Sequence, residues 1–257
     1  LILRQLTDAI ESKAPLKWQE AWDNSGLQIG NGDTDIKAVL LTVDITENTL
    51  REAIESGCNL IVSHHPLFFH SVKHLTGSTP QERCAALAIK HDIAVYSLHT
   101  PADSYLHGVS GKMAEMCGIS EYTILEEPTE DAGYGLGVIG KLPSPIPYRE
   151  FLNAVKATFS APYLRYTNSP REQVQTVAFC GGAGSSLTEK AIEKGADVFV
   201  SADFKYHDMQ AGDGRIGIVD MDHWVSEQAV RYIIQDWLQP LVHTRISRTD
   251  HSPIRIL

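Results

Sequence analysis

Short apolar runs alternate with longer amphipathic stretches along most of this chain, and that alternation limits its fold more than any other feature. IKAVLLTV (36–43), CNLIVS (58–63) and IAVYSLH (93–99) read as buried strands. Helical periodicity fills the intervals: TENTLREAIESG (46–57), TPQERCAALAIKHD (79–92) and, after the third strand, HGVSGKMAEMCG (107–118). Thr46 is placed to cap the first helix and Gly57 to close it, while Pro80 suits the first turn of the second. Short strands joined through helices predict parallel sheet with both faces covered. Farther on, YGLGVIGKL (134–142), QTVAFC (175–180) and RIGIVD (215–220) are expected as strands. PSPIP (143–147) is expected as a loop, REFLNAVKATF (149–159) as a helix and HWVSEQAVRYIIQDWL (223–238) as one long helix. VHTRIS (242–247) reads as a closing edge strand.

An internal repeat sharpens this picture. DITENTLREAIESGCNLIVSHHP (44–66) aligns without gaps to GAGSSLTEKAIEKGADVFVSADF (182–204), at an offset of 138. Ala-Ile-Glu, the following Gly and the Val-Ser at the strand end coincide. The expected fold is therefore α/β, with two similar lobes from internal duplication and mainly parallel sheets covered by helices. Residues 1–126 with 221–257 are expected as the first lobe and 127–220 as the second.

The chain has 257 residues, enough for a sizeable core, and a formal net charge of −10. That charge argues against nucleic acid or anionic membrane as a partner. No apolar run approaches the ~20 residues that span a bilayer. The opening LILRQLTDAIESK is amphipathic and carries acids, so it reads as a helix rather than a signal peptide. Cys58, Cys84, Cys117 and Cys180 are widely spaced with no CxxC, which predicts free thiols and a cytoplasmic protein.

Ligands of open parallel sheets bind beyond the carboxyl ends of the strands. Three strands here end in residues that bind metals. One ends in His64-His65, where Pro66 halts the ladder; one in YSLHTPAD, with His99 and Asp103; one in VDMDHWVSE, with Asp220, Asp222, His223 and Glu227. His223 and Glu227 are four apart, so a helix turns both to one face. Mixed nitrogen and oxygen donors without thiolate suit Zn, Fe, Mn, Co or Ni. A site of His, His, Asp, His and Glu drawn from these strand ends has five donors, more than one catalytic ion needs, and two divalent ions sharing a carboxylate would use them all. The first lobe is expected to supply most of the ligands.

WDNSGLQIG (22–30), IVSHHPLFF (61–69), LHTPAD (98–103), SADFKYHD (201–208) and DHWVSE (222–227) resemble, in order, the motifs of the NIF-three-like family, whose members are named GTP cyclohydrolase 1 type 2 homologues. The resemblance implies two similar α/β lobes, a dinuclear metal site between them and a toroidal homohexamer. It implies His64, His65, Asp103, His223 and Glu227 as the metal ligands. Ser201-Ala202-Asp203 stands where the family often has Thr-Gly-Asp or Thr-Gly-Glu, and Asp222 where it often has Gly. Asp222 would add a carboxylate near the metals.

These observations point to a metal-dependent hydrolase of a nucleotide or phosphoester-type small molecule, with GTP cyclohydrolase-like chemistry implied by the family name. His99 and His207 are the candidate general acid and base. A non-catalytic, metal-binding hexameric scaffold or regulator is the alternative. GGAGSS (181–186) reads as a tight β–α turn before it reads as an anion cradle, since it lacks the Lys and spacing of a phosphate loop. Asp23 and Asn24 look like a turn or helix cap.

Overall fold

The computed structural model describes residues 1–257. In chain order the elements are α1 (Leu3–Glu11), β1 (Gly26–Ile29), β2 (Ala38–Thr42), α2 (Glu47–Ser56), β3 (Leu60–Ser63), α3 (Pro80–Lys90), β4 (Ala94–Ser97), α4 (Thr100–Ser104) and α5 (Val109–Met116). Then come β5 (Tyr122–Glu126), β6 (Leu136–Pro147), α6 (Tyr148–Thr158), β7 (Arg165–Tyr166), β8 (Gln173–Ala183), α7 (Thr188–Glu193), β9 (Val198–Ala202), α8 (Tyr206–Ala211), β10 (Gly217–Met221), α9 (His223–Glu227), α10 (Val230–Leu238) and β11 (His243–Ile246). The chain forms a mixed α/β fold of two compact units, residues 1–102 with 230–251 and residues 103–229 with 252–257.

In the first unit the strand order is β1-β4-β3-β2-β11. All pairings are parallel except the antiparallel addition of β1 to β4. Every residue of β2, β3 and β4 is buried, which is why their sequences are continuous apolar runs without alternation. The local signals act as expected. Thr46 accepts from the Thr49 amide, Gly57 closes α2 at φ +71°, and Thr79 caps α3 ahead of Pro80. Leu50, Ala53, Ile61, Cys84, Ala88 and Val95 form the core between these helices and the sheet.

The second unit departs from the parallel expectation. Its order is β5-β6-β8-β9-β10-β7, and only β8–β9 and β9–β10 run parallel. The remaining three pairings are antiparallel. PSPIP, expected as a loop, continues β6 through Pro147. β5 pairs with β6 only up to Gly140, so the prolines lie where β6 has an open edge and no donor is needed on that side.

The expected lobe boundaries also shift. β5 pairs with β6, and α5 packs on β6 and β8, so residues 103–126 go with the second unit. The long helix expected over 223–238 is two helices: α9 packs on β8 and β9, whereas α10 packs on α1, β2 and β11. Each takes a different sheet as its support. As a result only His64 and His65 of the five expected ligands belong to the first unit; Asp103, His223 and Glu227 belong to the second.

One regularity links the sheets. In β2–α2–β3, Val39 pairs with Leu60; in β8–α7–β9, Val177 pairs with Val198. Both pairings are parallel and join residues 21 apart, at the 138-residue offset of the sequence repeat.

All four cysteines are free thiols. Burial pushes the Cys84 thiol up to about 11 and that of Cys117 to about 12. No helix is long and apolar enough to cross a membrane.

Candidate metal centre

In the first unit, Pro66 ends the ladder of β3, but the two histidine amides still bond back to the neighbouring chain: His64 N donates to Thr42 O at 3.0 Å and His65 N to Val43 O at 2.9 Å. This anchors both residues just beyond the strand's carboxyl end. Leu98 N donates to Ser63 O at 2.9 Å, and so brings His99 alongside. The three imidazole centroids form a near-equilateral triangle with edges of 5.1, 5.2 and 5.4 Å. One potential ligand atom from each ring lies within 4.8 Å of the other two.

The orientation of the rings is set from behind. His64 Nδ1 donates to the Leu98 carbonyl at 3.0 Å, His65 Nδ1 to Asp44 Oδ1 at 2.8 Å and His99 Nδ1 to Asp23 Oδ1 at 2.8 Å. A carbonyl or carboxylate only accepts, so each ring carries a proton on Nδ1, and Nε2 is the nitrogen left as a potential ligand atom. Asp23 is the busiest of these partners. Ser25 Oγ, Thr100 N and Thr100 Oγ1 also donate to its other oxygen. Burial alone would raise the Asp23 carboxyl; hydrogen bonds from His99, Thr100 and Ser25 outweigh it and hold the group far below the usual carboxylate range.

In the second unit, α9 begins directly after β10. Asp222 caps it by accepting from Val225 N at 3.1 Å, and its other oxygen accepts from Ser252 Oγ at 2.7 Å. Its carboxylate is therefore committed to the cap. The helix turns His223 and Glu227 to one face, with His223 Nε2 3.1 Å from Glu227 Oε2. His223 Nδ1 lies 2.8 Å from Asp203 Oδ2. Asp203 holds this position at φ +58°, a left-handed conformation that costs a non-glycine residue energy. Burial disfavours the His223 cation, but hydrogen bonds to Asp203 and Glu227 overcome it and raise the imidazole to about 11.

Gly181 and Gly182 close over this pair. Gly182 has φ +63°, and a Cβ there would collide with Glu227 Oε1. Its amide donates to Ser226 Oγ at 2.9 Å, and the Gly181 amide donates to Ser110 Oγ at 3.2 Å. The GGAGSS segment, expected as a tight β–α turn, instead continues β8 through Ala183 and enters a short 3-10 helix at Ser185. Asp103 and Glu227 both act on the buried Cys180 thiol, which they push up together with burial as the main cause.

The other expected residues lie apart. His207 is exposed on α8, its Nδ1 3.2 Å from Gln210 Oε1. Asp220 is buried and paired with Arg165, which also donates to Phe204 O at 2.8 Å. Asp44 escaped the sequence reading. It lies two residues beyond the end of β2, as His65 does beyond β3, and that shared position was the available signal. The donor set fits a transition metal: imidazole nitrogens oriented from behind in one unit, and a histidine with carboxylates in the other.

The family model for Duf34/NIF3 (NGG1p interacting factor 3) matches residues 1–253. A Streptococcus pneumoniae protein named GTP cyclohydrolase 1 type 2 homolog is 36% identical over 232 residues, covering 88% of this chain and 86% of the relative. A Clostridium perfringens protein of the same name is 31% identical over 229 residues, with 89% and 87% covered. Among solved structures, a Staphylococcus aureus protein matches with a TM-score of 0.91 at 24% identity, covering 100% of this chain and 99% of the other. A Bacillus cereus protein related to NIF3 matches with a TM-score of 0.90 at 23% identity and the same coverage.

Proposed function

From the premise that this chain belongs to the Duf34/NIF3 family, we propose that it is a metal-dependent hydrolase with a dinuclear centre, acting on a nucleotide or another phosphoester-type small molecule. The observation that carries this reading is the way the histidines are held. In His64, His65, His99 and His223, Nδ1 is engaged by an oxygen acceptor, the arrangement that aims Nε2 of a metal-binding histidine. The proposed ligands are His64, His65, Asp103, His223 and Glu227, and the reading requires the sets from the two units to meet on one pair of ions of Zn, Fe, Mn, Co or Ni. When bound, two such ions lower the pKa of water and clamp a phosphoryl or carbonyl oxygen.

The chain's own residues supply the rest. Asp44 and Asp203 fix the rings of His65 and His223. His99, backed by Asp23, is the proposed general acid or base, because its tautomer is fixed and it stands beside the ligand histidines. The relatives' name makes GTP one candidate substrate. We read the two units as copies of one α/β unit, supported by the shared 21-residue register and the repeat. A cytoplasmic homohexamer is part of the proposal, on the family resemblance.

The first test is metal content by plasma mass spectrometry on protein purified without a His-tag or chelator. About two equivalents of transition metal per chain are expected. No tightly held metal, even after addition of Zn, Mn or Fe, would sink the dinuclear reading. Turnover of nucleotides or phosphoesters should vanish in Glu227→Ala while the oligomer survives; turnover unchanged by that substitution would exclude this centre as its source.

A further inference from the structure

The motif WDNSGLQ is only partly absorbed by its Asp23–His99 bond, and the rest of it builds a second feature. Trp22 is 61% exposed and Phe69 is 44% exposed, unusual for large aromatic side chains. Both pack against the same imidazole. The Trp22 and His99 centroids are 5.6 Å apart at 71°, and those of Phe69 and His99 are 5.5 Å apart at 89°. His99 thus has an aromatic ring edge-on from each of two loops, and one of the three-histidine triangle's corners carries an exposed apolar wall.

The two loops are tied together. Asn24 Nδ2 donates to Phe68 O at 2.6 Å, and Phe68 N donates to Gln28 Oε1 at 3.3 Å. Gln28 Nε2 returns to Asn24 O at 2.7 Å. Asn24 and Gln28 therefore fix the backbone next to Phe69, while Asp23 fixes the backbone next to Trp22. The backbone that carries the rings is held in place before any ligand arrives, which lowers the ordering cost of binding. An exposed aromatic pair that is rigid, and adjacent to groups suited to an oxygen-bearing head, has the form of a stacking platform.

We propose that Trp22 and Phe69 form a binding surface for a planar heteroaromatic ring, whose polar head group reaches the His64–His65–His99 cluster. They are specificity-determining residues, and the ligand class is a ring-bearing phosphoester such as a nucleotide rather than a ringless sugar phosphate. The proposal rests on the hydrolase reading for the head group, but the ring contact stands on the two aromatic side chains alone.

The test is titration calorimetry on the full chain, both stripped of metal and loaded with zinc, using adenosine 5′-monophosphate and ribose 5-phosphate as probes. The ring-bearing probe should bind wild type about tenfold tighter or more, in either metal state. Trp22→Leu and Phe69→Leu should each lose about tenfold in affinity for the ring-bearing probe and leave ribose 5-phosphate unmoved. Trp22→Phe should retain most of the binding, because it keeps a π-face. Equal affinity for the two probes, or unaltered nucleotide binding in both leucine variants, would overturn the proposal. So would an altered sedimentation coefficient in Trp22→Leu with nucleotide binding retained, which would assign the rings to an interface between copies. A chain that binds no metal yet prefers the ring-bearing probe would remove the dinuclear reading and leave this one standing; a zinc-loaded chain without the preference would do the reverse.

Discussion

The first unit presents three histidines whose Nδ1 atoms are tied to a carbonyl and two carboxylates, whereas the second presents one histidine with a carboxylate against each ring nitrogen. In the first, Asp44 stands behind Nδ1 of His65 and Asp23 behind Nδ1 of His99. In the second, Asp203 meets Nδ1 and Glu227 meets Nε2 of His223, and both favour its imidazolium form. The two arrangements show how similar residues at similar strand ends acquire different roles. The acceptor behind Nδ1 fixes how each ring is turned, and a carboxylate on each ring nitrogen is what raises His223 above its ordinary value.

The most disruptive way to break this comparison is Gly182→Ala. The new Cβ meets Glu227 Oε1 and the backbone is left-handed, so a loss of about 3–5 kcal/mol is expected from strain and overpacking. Urea unfolding measures it, and zinc titration should show the second unit's ligands impaired. A fully stable variant would mean that Glu227 has room to move.

Asp23→Leu attacks the first unit instead. It strips the buried acceptor shared by His99, Ser25 and Thr100, and a cost of about 3 kcal/mol is expected from the donors left unpaired. The same denaturation experiment applies, and a loss well under 1 kcal/mol would contradict the hydrogen-bond network drawn here.

A milder change sharpens the comparison. Asp44→Ala releases His65 without touching a proposed ligand, and Asp203→Ala does the same for His223. Each should weaken zinc binding about 10- to 100-fold, by calorimetry, with little loss of fold. Unchanged affinity in both would show that packing alone orients these rings.

The smallest effect lies far from either histidine set. Glu52 accepts from Ser247 Oγ at 2.7 Å, Arg248 N at 2.9 Å and Thr249 Oγ1 at 2.8 Å, pinning the chain after β11 to α2. Burial would raise this carboxyl, but those bonds lower it below its ordinary value. A depressed acid stabilises the fold fully above its unfolded-state pKa of about 4.3, and that contribution is lost as pH falls through the folded value. Glu52→Gln should cost about 1 kcal/mol at pH 7 and show a shallower loss of stability on acidification than wild type. Parallel acid-unfolding curves would remove Glu52 from the account.

Much of this molecule was legible from local chemistry. Thr46, Gly57, Thr79 and Pro80 bounded their helices because caps depend on a few adjacent residues. The run from Leu60 to Ser63 read as a buried strand because a covered parallel sheet requires continuous apolar sequence. The histidines at strand ends were visible because proline and polar residues follow the apolar runs directly. PSPIP misled for an equally local reason: proline signals a break, and only the absence of a β5 partner beyond Gly140 makes an extended edge acceptable there. The split between α9 and α10 was hidden, since their joint sequence keeps helical periodicity and the break follows from the two different surfaces they pack on.

The sequence by itself determined the alternation of strand and helix, the repeat and the chemistry available at each strand end, because these depend on residue type and short-range spacing. Only the tertiary structure decided that the second sheet is mixed and that Asp23, Asp44 and Asp203 stand behind three particular rings. The Asp23–His99 bond joins residues 76 apart and the Asp44–His65 bond residues 21 apart. Partners at such distances are chosen by how strands are ordered and registered in a sheet, which is a property of the whole packed unit and not of any window of the chain.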